Sequence, residues 1–377
     1  MNTTQPLQLL GGLSPEQFMK RHWEKKPLLV RQAIPGFAPL LERAELFDLA
    51  QGEAVESRLI SQADRRGKPG WQFKAGPFAR RALPPLKQPN WTLLLQGMDL
   101  HHAGVHQLMQ QFRFVPDARL DDVMISYATD GGGVGPHFDS YDVFLLQAHG
   151  QRRWRYGRQK DMSLVPGMPL KILSNFVPEF DEVLNPGDML YLPPRYAHDG
   201  IAVGECMTYS IGFRSPNRGE LAREILQRLA EDASDLAGEA IYRDPQQAAV
   251  ANPGAIPVAL HQFAHDAMLA ALQQPDAFSC VLGEYLTEPK ANVWFDSRPA
   301  QADFGSVALD QRTRMLYDAR HIFINGEGFR ASGRDAALMQ RLANERVLDG
   351  AALRGASKDA RTLLLSWLEA GWLHERD

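Results

Sequence analysis

The chain has 377 residues, long enough for two or three domains with cores of their own. Its 44% hydrophobic and 23% charged residues are typical of a globular protein, and a net charge of −4 gives no sign of a nucleic-acid partner. Cys206 and Cys280 are the only cysteines, which excludes a disulfide framework or a zinc site and favours a reducing compartment. There is no signal-peptide pattern and no apolar run of about 20 residues, so the sequence predicts a cytoplasmic protein without a membrane span.

The N-terminal part of the chain predicts one short helix followed by strands. Ser14–Gln17 reads Ser-Pro-Glu-Gln, a capping box with proline at the first helical position, which predicts a helix through about Trp23. Lys26–Val30 predicts the entry to a strand, and the runs at 57–60 and 70–73 predict two more short strands.

Short β-rich runs then recur between turn residues, a pattern typical of an all-β barrel or sandwich. The predicted strands are Val123–Tyr127, Val143–Ala148, Arg153–Tyr156, Met189–Leu192 and Met207–Phe213. Gly150 is expected to turn the chain between the second and the third of these runs.

The stretch Gly131–Asp139 reads Gly-Gly-Gly-Val-Gly-Pro-His-Phe-Asp and is the strongest candidate for a functional site. Its glycines let the backbone approach another segment or a ligand closely. His137 and Asp139 follow them, and residues two apart on a strand point to the same face. An imidazole and a carboxylate held side by side suit a divalent metal that takes nitrogen and oxygen ligands.

A third ligand is expected from a later strand. In Asn185–His198 a Pro-Gly turn is followed by a short apolar strand, and His198 begins the next segment. A returning strand that brings its own histidine is how a small β-barrel gathers ligands in its mouth. His137, Asp139 and His198 would form a facial triad that leaves open positions on Fe(II). The alternative for any one of these histidines is an ordinary capped or core residue.

Together these segments resemble the JmjC-type branch of the cupin-like 2-oxoglutarate/Fe(II) oxygenases and, more narrowly, the ribosomal oxygenases. The resemblance is carried by His22–Val30, Asn90–Gln96, Asp121–Ser126, Gly131–Asp139, Tyr141–Phe144, Gly150–Trp154 and Tyr209–Pro216. It implies an α+β fold: a double-stranded β-helix (a jelly-roll, cupin-like JmjC barrel), a helical dimerisation region and a C-terminal winged-helix-like domain. It also implies Fe(II), 2-oxoglutarate and O2 as the reaction's requirements. The bacterial members of the family hydroxylate an arginine in a large-subunit ribosomal protein. Arg195 departs from the pattern, because cupins usually have glycine at that position.

A buried 2-oxoglutarate needs a cation for its distal carboxylate, and a guanidinium can meet a carboxylate with two hydrogen bonds. Alternation along a strand places Arg152 and Trp154 on one face and Arg153 and Arg155 on the other, without saying which face points inward. The resemblance favours Arg152 as the co-substrate ligand and also assigns Ser126 to that site.

A cationic substrate side chain entering the barrel needs acidic or aromatic partners, because burying it unpaired is costly. Tyr141 and Asp142 follow the first two candidate metal ligands, and Asp199 follows His198. We expect these three residues to contact the substrate arginine, whose planar group accepts a bidentate carboxylate and stacks on an aromatic ring.

Beyond residue 216 the pattern becomes helical. Asn217–Glu220 resembles a capping box, and apolar residues at helical spacing continue, across a polar linker at 239–257, to about residue 290. A hairpin with an Asn325-Gly326 turn and helices at 334–344 and 359–370 then predict a winged-helix-like unit. The predicted domains are residues 1–216 (oxygenase), 217–290 (helical) and 291–377 (winged-helix-like).

The apolar stripes of residues 217–290 have to be buried, either within the chain or, as in the resembling family, in a homodimer. Residues 291–377 contain 12 basic and 12 acidic residues, whereas phosphate binding needs clustered Lys and Arg. We therefore expect a basic ribosomal protein as the partner, a homodimer, and no direct binding of nucleic acid.

Other functions stay open at this point. A cupin isomerase, or a dioxygenase that does not use 2-oxoglutarate, typically has a glutamate soon after the first histidines, and none occurs between Asp139 and Gly150. A histidyl hydroxylase of a ribosomal protein and a JmjC lysine demethylase share the metal triad. A ligand-sensing transcription regulator would be the non-enzymatic alternative, against which the balanced charge of the C-terminal unit argues.

Overall fold

The computed structural model describes residues 2–65, 68–301 and 303–376, and the chain divides into two compact units, Met1–Ser215 and Pro216–Asp377. Within those described ranges, no helix is both long enough and apolar enough to cross a membrane. The helices of the first unit are α1 (Pro15–Arg21), α2 (Arg43–Leu49) and α3 (Ala103–Gln110). Its strands are β1 (Leu28–Val30), β2 (Ser57–Arg65), β3 (Lys68–Ala75), β4 (Trp91–Leu95), β5 (Leu120–Ala128), β6 (His137–Phe138), β7 (Val143–Arg158), β8 (Phe180–Leu184), β9 (Met189–Leu192) and β10 (Tyr196–Phe213).

Helix α1 begins where the sequence predicts. The Ser14 hydroxyl accepts a hydrogen bond from the Gln17 N–H at 3.2 Å, and the Gln17 side chain accepts one from the Ser14 N–H at 3.0 Å. Phe18 of this helix is fully buried, with its ring 4.9 Å from that of Tyr191 on β9. The helix is therefore fastened to the sheet by the same aromatic residues that form the main core.

The strands form one ten-stranded sheet in the order β1-β9-β7-β10-β5-β4-β2-β3, with β6 added beside β10 and β8 beside β7. Strands β7 and β10 are 16 and 18 residues long and run antiparallel along most of their length. On its other edge, each long strand pairs with two different strands in succession. Strand β7 pairs first with β9 and then with β8, and β10 pairs first with β6 and then with β5. One pair of long strands thus belongs to both parts of the sheet, as in a jelly roll.

Gly150 bends a strand rather than ending it, which corrects the predicted turn. Strand β7 continues through Gly150, which has a φ of +58°. The opposing strand is irregular between Val203 and Met207, and a Cβ on Gly150 would lie 2.0 Å from the Glu205 carbonyl oxygen. Only glycine fits so close an approach, so the two predicted runs join into one strand with a bend.

The first part of β7, Val143–Ala148, is buried on both faces, which explains its continuous apolar run. Phe144 and Leu146 belong to the main core, together with helix α1. Val143, Leu145 and Trp154 belong to a second cluster with β8 and β9. This second cluster, called the inner cluster below, contains Val143, Leu145, Trp154, Tyr156, Leu184, Leu190, Leu192 and Tyr196.

The second unit begins with helices and continues with two small sheets. Its helices are α4 (Arg218–Glu231), α5 (Ala233–Ala237), α6 (Val258–Leu272), α7 (Ala277–Thr287), α8 (Gly333–Glu345), α9 (Gly350–Arg354) and α10 (Lys358–Glu369). Its strands are β11 (Val307–Leu309), β12 (Met315–Tyr317), β13 (His321–Ile324), β14 (Glu327–Arg330), β15 (Val347–Leu348) and β16 (Leu373–Glu375). The sheet orders are β15-β11-β16 and β12-β13-β14.

The sequence correctly predicts a helix cap, a hairpin turn and two helices of this unit. The Asn217 side chain accepts a hydrogen bond from the Glu220 N–H at 2.9 Å and so caps α4. Strands β13 and β14 form the predicted hairpin, and Asn325 and Gly326 have φ values of +48° and +91°, as a type I′ turn requires. Helices α8 and α10 lie within two residues of the predicted bounds and share a core with β11 and β13.

Candidate metal centre

The pairing of β6 with β10 brings the three predicted ligands together. His137 lies opposite His198 in this register, and Asp139 follows β6 directly. One ligand atom of each residue lies within 4.8 Å of the others, and His198 Nε2 is 3.6 Å from Asp139 Oδ2. In the described part of the chain, this is the one group of three such side chains found.

Backbone carbonyls fix the orientation of both imidazoles. Nδ1 of His137 lies 2.8 Å from the Gly135 oxygen, and Nδ1 of His198 lies 3.0 Å from the Tyr196 oxygen. A carbonyl can only accept, so Nδ1 carries the proton in each ring and Nε2 keeps its lone pair. Burial, with a smaller contribution from His137, lowers the pKa of His198 to about 4. Imidazoles held in this way present Nε2 to a metal.

The loop before His137 is fixed by packing at Gly135 and by a backbone hydrogen bond at Pro136. A Cβ on Gly135 would lie 2.6 Å from the Ile172 side chain and 2.9 Å from the Trp71 ring, so a larger residue would not fit. The next carbonyl, that of Pro136, accepts a hydrogen bond from the Leu173 N–H at 2.8 Å. These contacts set the start of β6 and therefore the position of His137.

Arg195 has the left-handed conformation that explains why cupins usually have glycine at this position. Its φ is +66°, which costs a side-chain-bearing residue of the order of 1 kcal/mol. In this conformation its backbone N–H donates to the Asp139 carbonyl at 2.7 Å. The strained residue therefore helps to position a candidate ligand.

Arg152 on β7 is buried and has no acidic partner among the described residues. It is 5% exposed, and its Nε and Nη2 have no hydrogen-bond partner. Its Nη1 lies 3.4 Å from the Ser126 hydroxyl, on the adjoining part of the sheet. A buried guanidinium without an acid is costly, so this environment fits a bound carboxylate, which can accept from both free N–H groups.

The neighbouring arginines lie on the other face of β7, as alternation predicts. Arg153 is exposed and its guanidinium bonds to Asp181 at 2.6 and 2.7 Å. Arg155 forms an ion pair with Asp199. Of these three arginines, only Arg152 is buried.

The residues predicted to contact the substrate lie in different places. Tyr141 is 41% exposed, and burial of its hydroxyl and then the charge of Asp139 raise the pKa of Tyr141. Asp142, in contrast, is fully buried, and its carboxylate bonds to the Tyr191 hydroxyl. Asp199 is 4% exposed and is occupied by its ion pair. Both carboxylates make internal contacts, which corrects the expectation that they face the substrate, while the role of Tyr141 stays a prediction.

Comparison with known proteins identifies the family. Residues 107–221 match the JmjC domain, and residues 270–374 match the ROXA-like winged helix. The ribosomal protein uL16 3-hydroxylase of Escherichia coli (strain K12) is 38% identical over 278 residues, which cover 72% of this chain and 71% of that protein. The chain belongs to the JmjC ribosomal oxygenase family.

Solved structures of this family resemble the chain over nearly its whole length. The X-ray structure of E. coli YcfD has a TM-score of 0.84 and 31% identity, and it covers 96% of this chain and 98% of that one. The same ribosomal oxygenase in complex with cobalt and 2-oxoglutarate has a TM-score of 0.81, 31% identity and the same coverage. The predicted family and the predicted fold class, a JmjC barrel with helices and a winged helix, are therefore confirmed.

Proposed function

We propose that this ribosomal oxygenase uses Fe(II) and 2-oxoglutarate to hydroxylate an arginine side chain of a large-subunit ribosomal protein. One observation carries the proposal: a triad of two imidazoles and a carboxylate, buried at His198 and half-buried at His137 and Asp139, shares a barrel with Arg152. Arg152 is a buried guanidinium without a counter-ion among the described residues. A structural ion-pair network would have supplied that guanidinium with an acid. In a site where a bound ligand supplies the carboxylate, the guanidinium has no acidic partner until the ligand binds.

His137, Asp139 and His198 would hold the iron. When bound, Fe(II) with 2-oxoglutarate and O2 supplies the oxidation that places one oxygen atom in a C–H bond, while 2-oxoglutarate is converted to succinate and CO2. Arg152 binds the distal carboxylate through its two free N–H groups, and the Ser126 hydroxyl lies beside the third donor. The inner cluster keeps water from the surroundings of this carboxylate, which strengthens its contact with Arg152.

Tyr141 suits a cationic substrate. Its ring is partly exposed and follows the candidate metal ligand Asp139 by two residues. An arginine side chain can stack its planar group on such a ring. The E. coli relative is named as a 3-hydroxylase of ribosomal protein uL16, and we propose the same substrate class and the same carbon atom for this chain.

A peptide panel tests the substrate. The enzyme is incubated with Fe(II), 2-oxoglutarate and peptides that cover the arginines of uL16, and each reactive peptide is repeated with that arginine changed to lysine or histidine. A gain of one oxygen with arginine alone supports the proposal. Hydroxylation of the histidine peptide would make the chain a histidyl hydroxylase, and loss of a methyl group from a methyl-lysine peptide would make it a demethylase.

We also propose that the second unit forms a homodimer through its helices. No residue of α6 is buried, although the helix is rich in apolar side chains. Met268, Leu269 and Leu272 on α6 are 58%, 38% and 45% exposed, and Leu226 on α4 is 48% exposed. Apolar side chains grouped in this way usually mark an interface, and a second copy of the chain offers the same surface in return.

The predicted division into residues 1–216, 217–290 and 291–377 stays a proposal. The matched winged helix begins at residue 270, and helix α7 packs on β13, where a Cβ on Gly283 would lie 2.4 Å from the Phe323 ring. We therefore propose that α7 belongs to the winged-helix module rather than to the helical region. A cytoplasmic location and the absence of direct nucleic-acid binding are likewise proposed, from the ribosomal-protein substrate and the balanced charge of this module.

A further inference from the structure

Trp154 is buried beside Arg152, the proposed ligand of the co-substrate carboxylate. It follows Arg152 by two residues on the same face of β7, and it is 5% exposed within the inner cluster. Its ring lies 5.7 Å from the central carbon of the Arg152 guanidinium, and its ring centroid lies 5.8 Å from that of His198. Trp154 is therefore close both to the carboxylate-binding arginine and to the metal-binding histidine.

The indole N–H of Trp154 is buried and has no hydrogen-bond partner among the described residues. An indole nitrogen can only donate, and buried tryptophans usually find an acceptor. Arg152 contributes two more unpartnered N–H groups to the same face of β7. The region therefore contains three buried hydrogen-bond donors and no acceptor for them. A carboxylate, with about four acceptor positions, could accept from all three.

The ring of Trp154 is held in place by the opposite strand. Gly200 pairs with Trp154 in the β7–β10 register, and a Cβ on Gly200 would lie 2.6 Å from the edge of the six-membered ring. Any other residue at this position would displace the ring. Because the six-membered edge is packed against the Gly200 backbone, the orientation of the N–H is fixed before a ligand binds, which lowers the entropy cost of binding.

We propose that the Trp154 N–H donates a hydrogen bond to the distal carboxylate of 2-oxoglutarate and, with Arg152, selects dicarboxylate over monocarboxylate 2-oxo acids. The inference deepens the proposed function and rests on it, because it requires 2-oxoglutarate to bind beside Arg152. Trp154 acts here as a specificity-determining residue, and it takes no part in holding the metal.

The test compares two ligands and two tryptophans. Full-length enzyme loaded with Zn(II) is titrated with 2-oxoglutarate by calorimetry, and with 2-oxopentanoate, which lacks the distal carboxylate, by ligand-observed NMR. Trp154→Phe is compared with Trp367→Phe, because Trp367 also has a buried, unpartnered indole N–H but lies in the core of the second unit. Neither readout depends on turnover.

Loss of a hydrogen bond to a charged group should weaken 2-oxoglutarate binding about ten-fold to one-hundred-fold in Trp154→Phe. Binding of 2-oxopentanoate should change less than about three-fold, because only the carboxylate contact is lost. Trp367→Phe should bind both ligands as the wild type does. Equal weakening for the two ligands would mean that Trp154 only packs, and unchanged affinity for 2-oxoglutarate would likewise overturn the proposal.

A second variant separates the N–H from the ring and covers the case in which Trp154→Phe does not fold. Benzothienylalanine at position 154 replaces the N–H by sulfur and keeps the shape of the side chain. It should reproduce the selective loss of 2-oxoglutarate affinity, and wild-type affinity in this variant would overturn the proposal. If the wild-type enzyme itself fails to bind 2-oxoglutarate, the proposed function fails, and that outcome is distinct from a failure at Trp154.

Discussion

Arg152→Met should have opposite effects on the unliganded protein and on co-substrate binding. Each of the two unpartnered N–H groups of Arg152 costs about 1–3 kcal/mol in a dry site, and water in the unliganded pocket recovers part of that cost. Methionine has a similar length and needs no hydrogen bonds, so we expect it to stabilise the unliganded fold by about 1–2 kcal/mol. The melting temperature should then rise by a few degrees, at about 2–4 °C per kcal/mol for a unit of this size.

The same substitution should almost abolish 2-oxoglutarate binding. Leaving a buried carboxylate unpaired costs about 3–5 kcal/mol, which corresponds to a loss in affinity of about 150-fold to 4,000-fold. Arg153→Met is the matched control, since this exposed ion pair with Asp181 is screened by water and contributes little. Differential scanning calorimetry and isothermal titration calorimetry measure the two effects. A lower melting temperature with unchanged affinity in Arg152→Met, or a large affinity loss in Arg153→Met, would refute the reasoning.

Three further predictions concern the metal, the assembly and a buried carboxyl group. Asp139→Ala should lose tight Fe(II) binding and turnover while the circular dichroism spectrum persists, because two remaining imidazoles bind the metal poorly; full activity at saturating iron would contradict the triad. Leu272→Asp should give monomers by light scattering, and a monomeric wild type would remove the interface proposal. Burial raises the pKa of Asp142 from 3.8 to about 6, so the folded protein keeps a proton that the unfolded chain releases in this range. The free energy of unfolding should therefore fall as the pH rises from about 4 to about 6, and urea titrations of Asp142→Asn should show a smaller fall.

The metal triad could be predicted from the sequence because its signals are local. His137 and Asp139 stand two apart after a glycine-rich loop, and His198 follows a Pro-Gly turn and a short strand. Alternation along β7 also separated Arg152 from Arg153 correctly, since the strand period is two everywhere. The family resemblance supplied the inward direction that alternation alone did not.

The positions of Asp142 and Asp199 could not be read in this way. Asp142 follows Tyr141 and Asp199 follows His198, so both lie beside candidate site residues in the sequence. The environment of each carboxylate, however, is determined by residues that are distant in the chain. Asp142 bonds to Tyr191 and lies 3.5 Å from Arg119, whereas Asp199 pairs with Arg155 across the β7–β10 register. A buried structural carboxylate and a substrate-binding one look the same in sequence, because only long-range pairing distinguishes them.

The backbone conformation at Gly150 also depends on a strand that is distant in the chain, so the sequence did not predict it. Glycine between two apolar runs usually marks a turn, and the sequence contains no sign that β10 opposite it is irregular. The close approach to the Glu205 carbonyl exists only when both strands are in place. The unpartnered N–H of Trp154 is also invisible in sequence, although alternation had already placed this residue beside Arg152.

The central claim is that this enzyme hydroxylates an arginine of a large-subunit ribosomal protein, and the most direct measurement is made on ribosomes. Intact masses of the large-subunit proteins are compared between cells that contain the wild-type enzyme, cells that lack it, and cells that contain only Asp139→Ala. One protein should carry one additional oxygen in the wild type alone, and fragmentation should place it on C3 of an arginine. Identical masses in all three, or an oxygen on a residue other than arginine, would contradict the account.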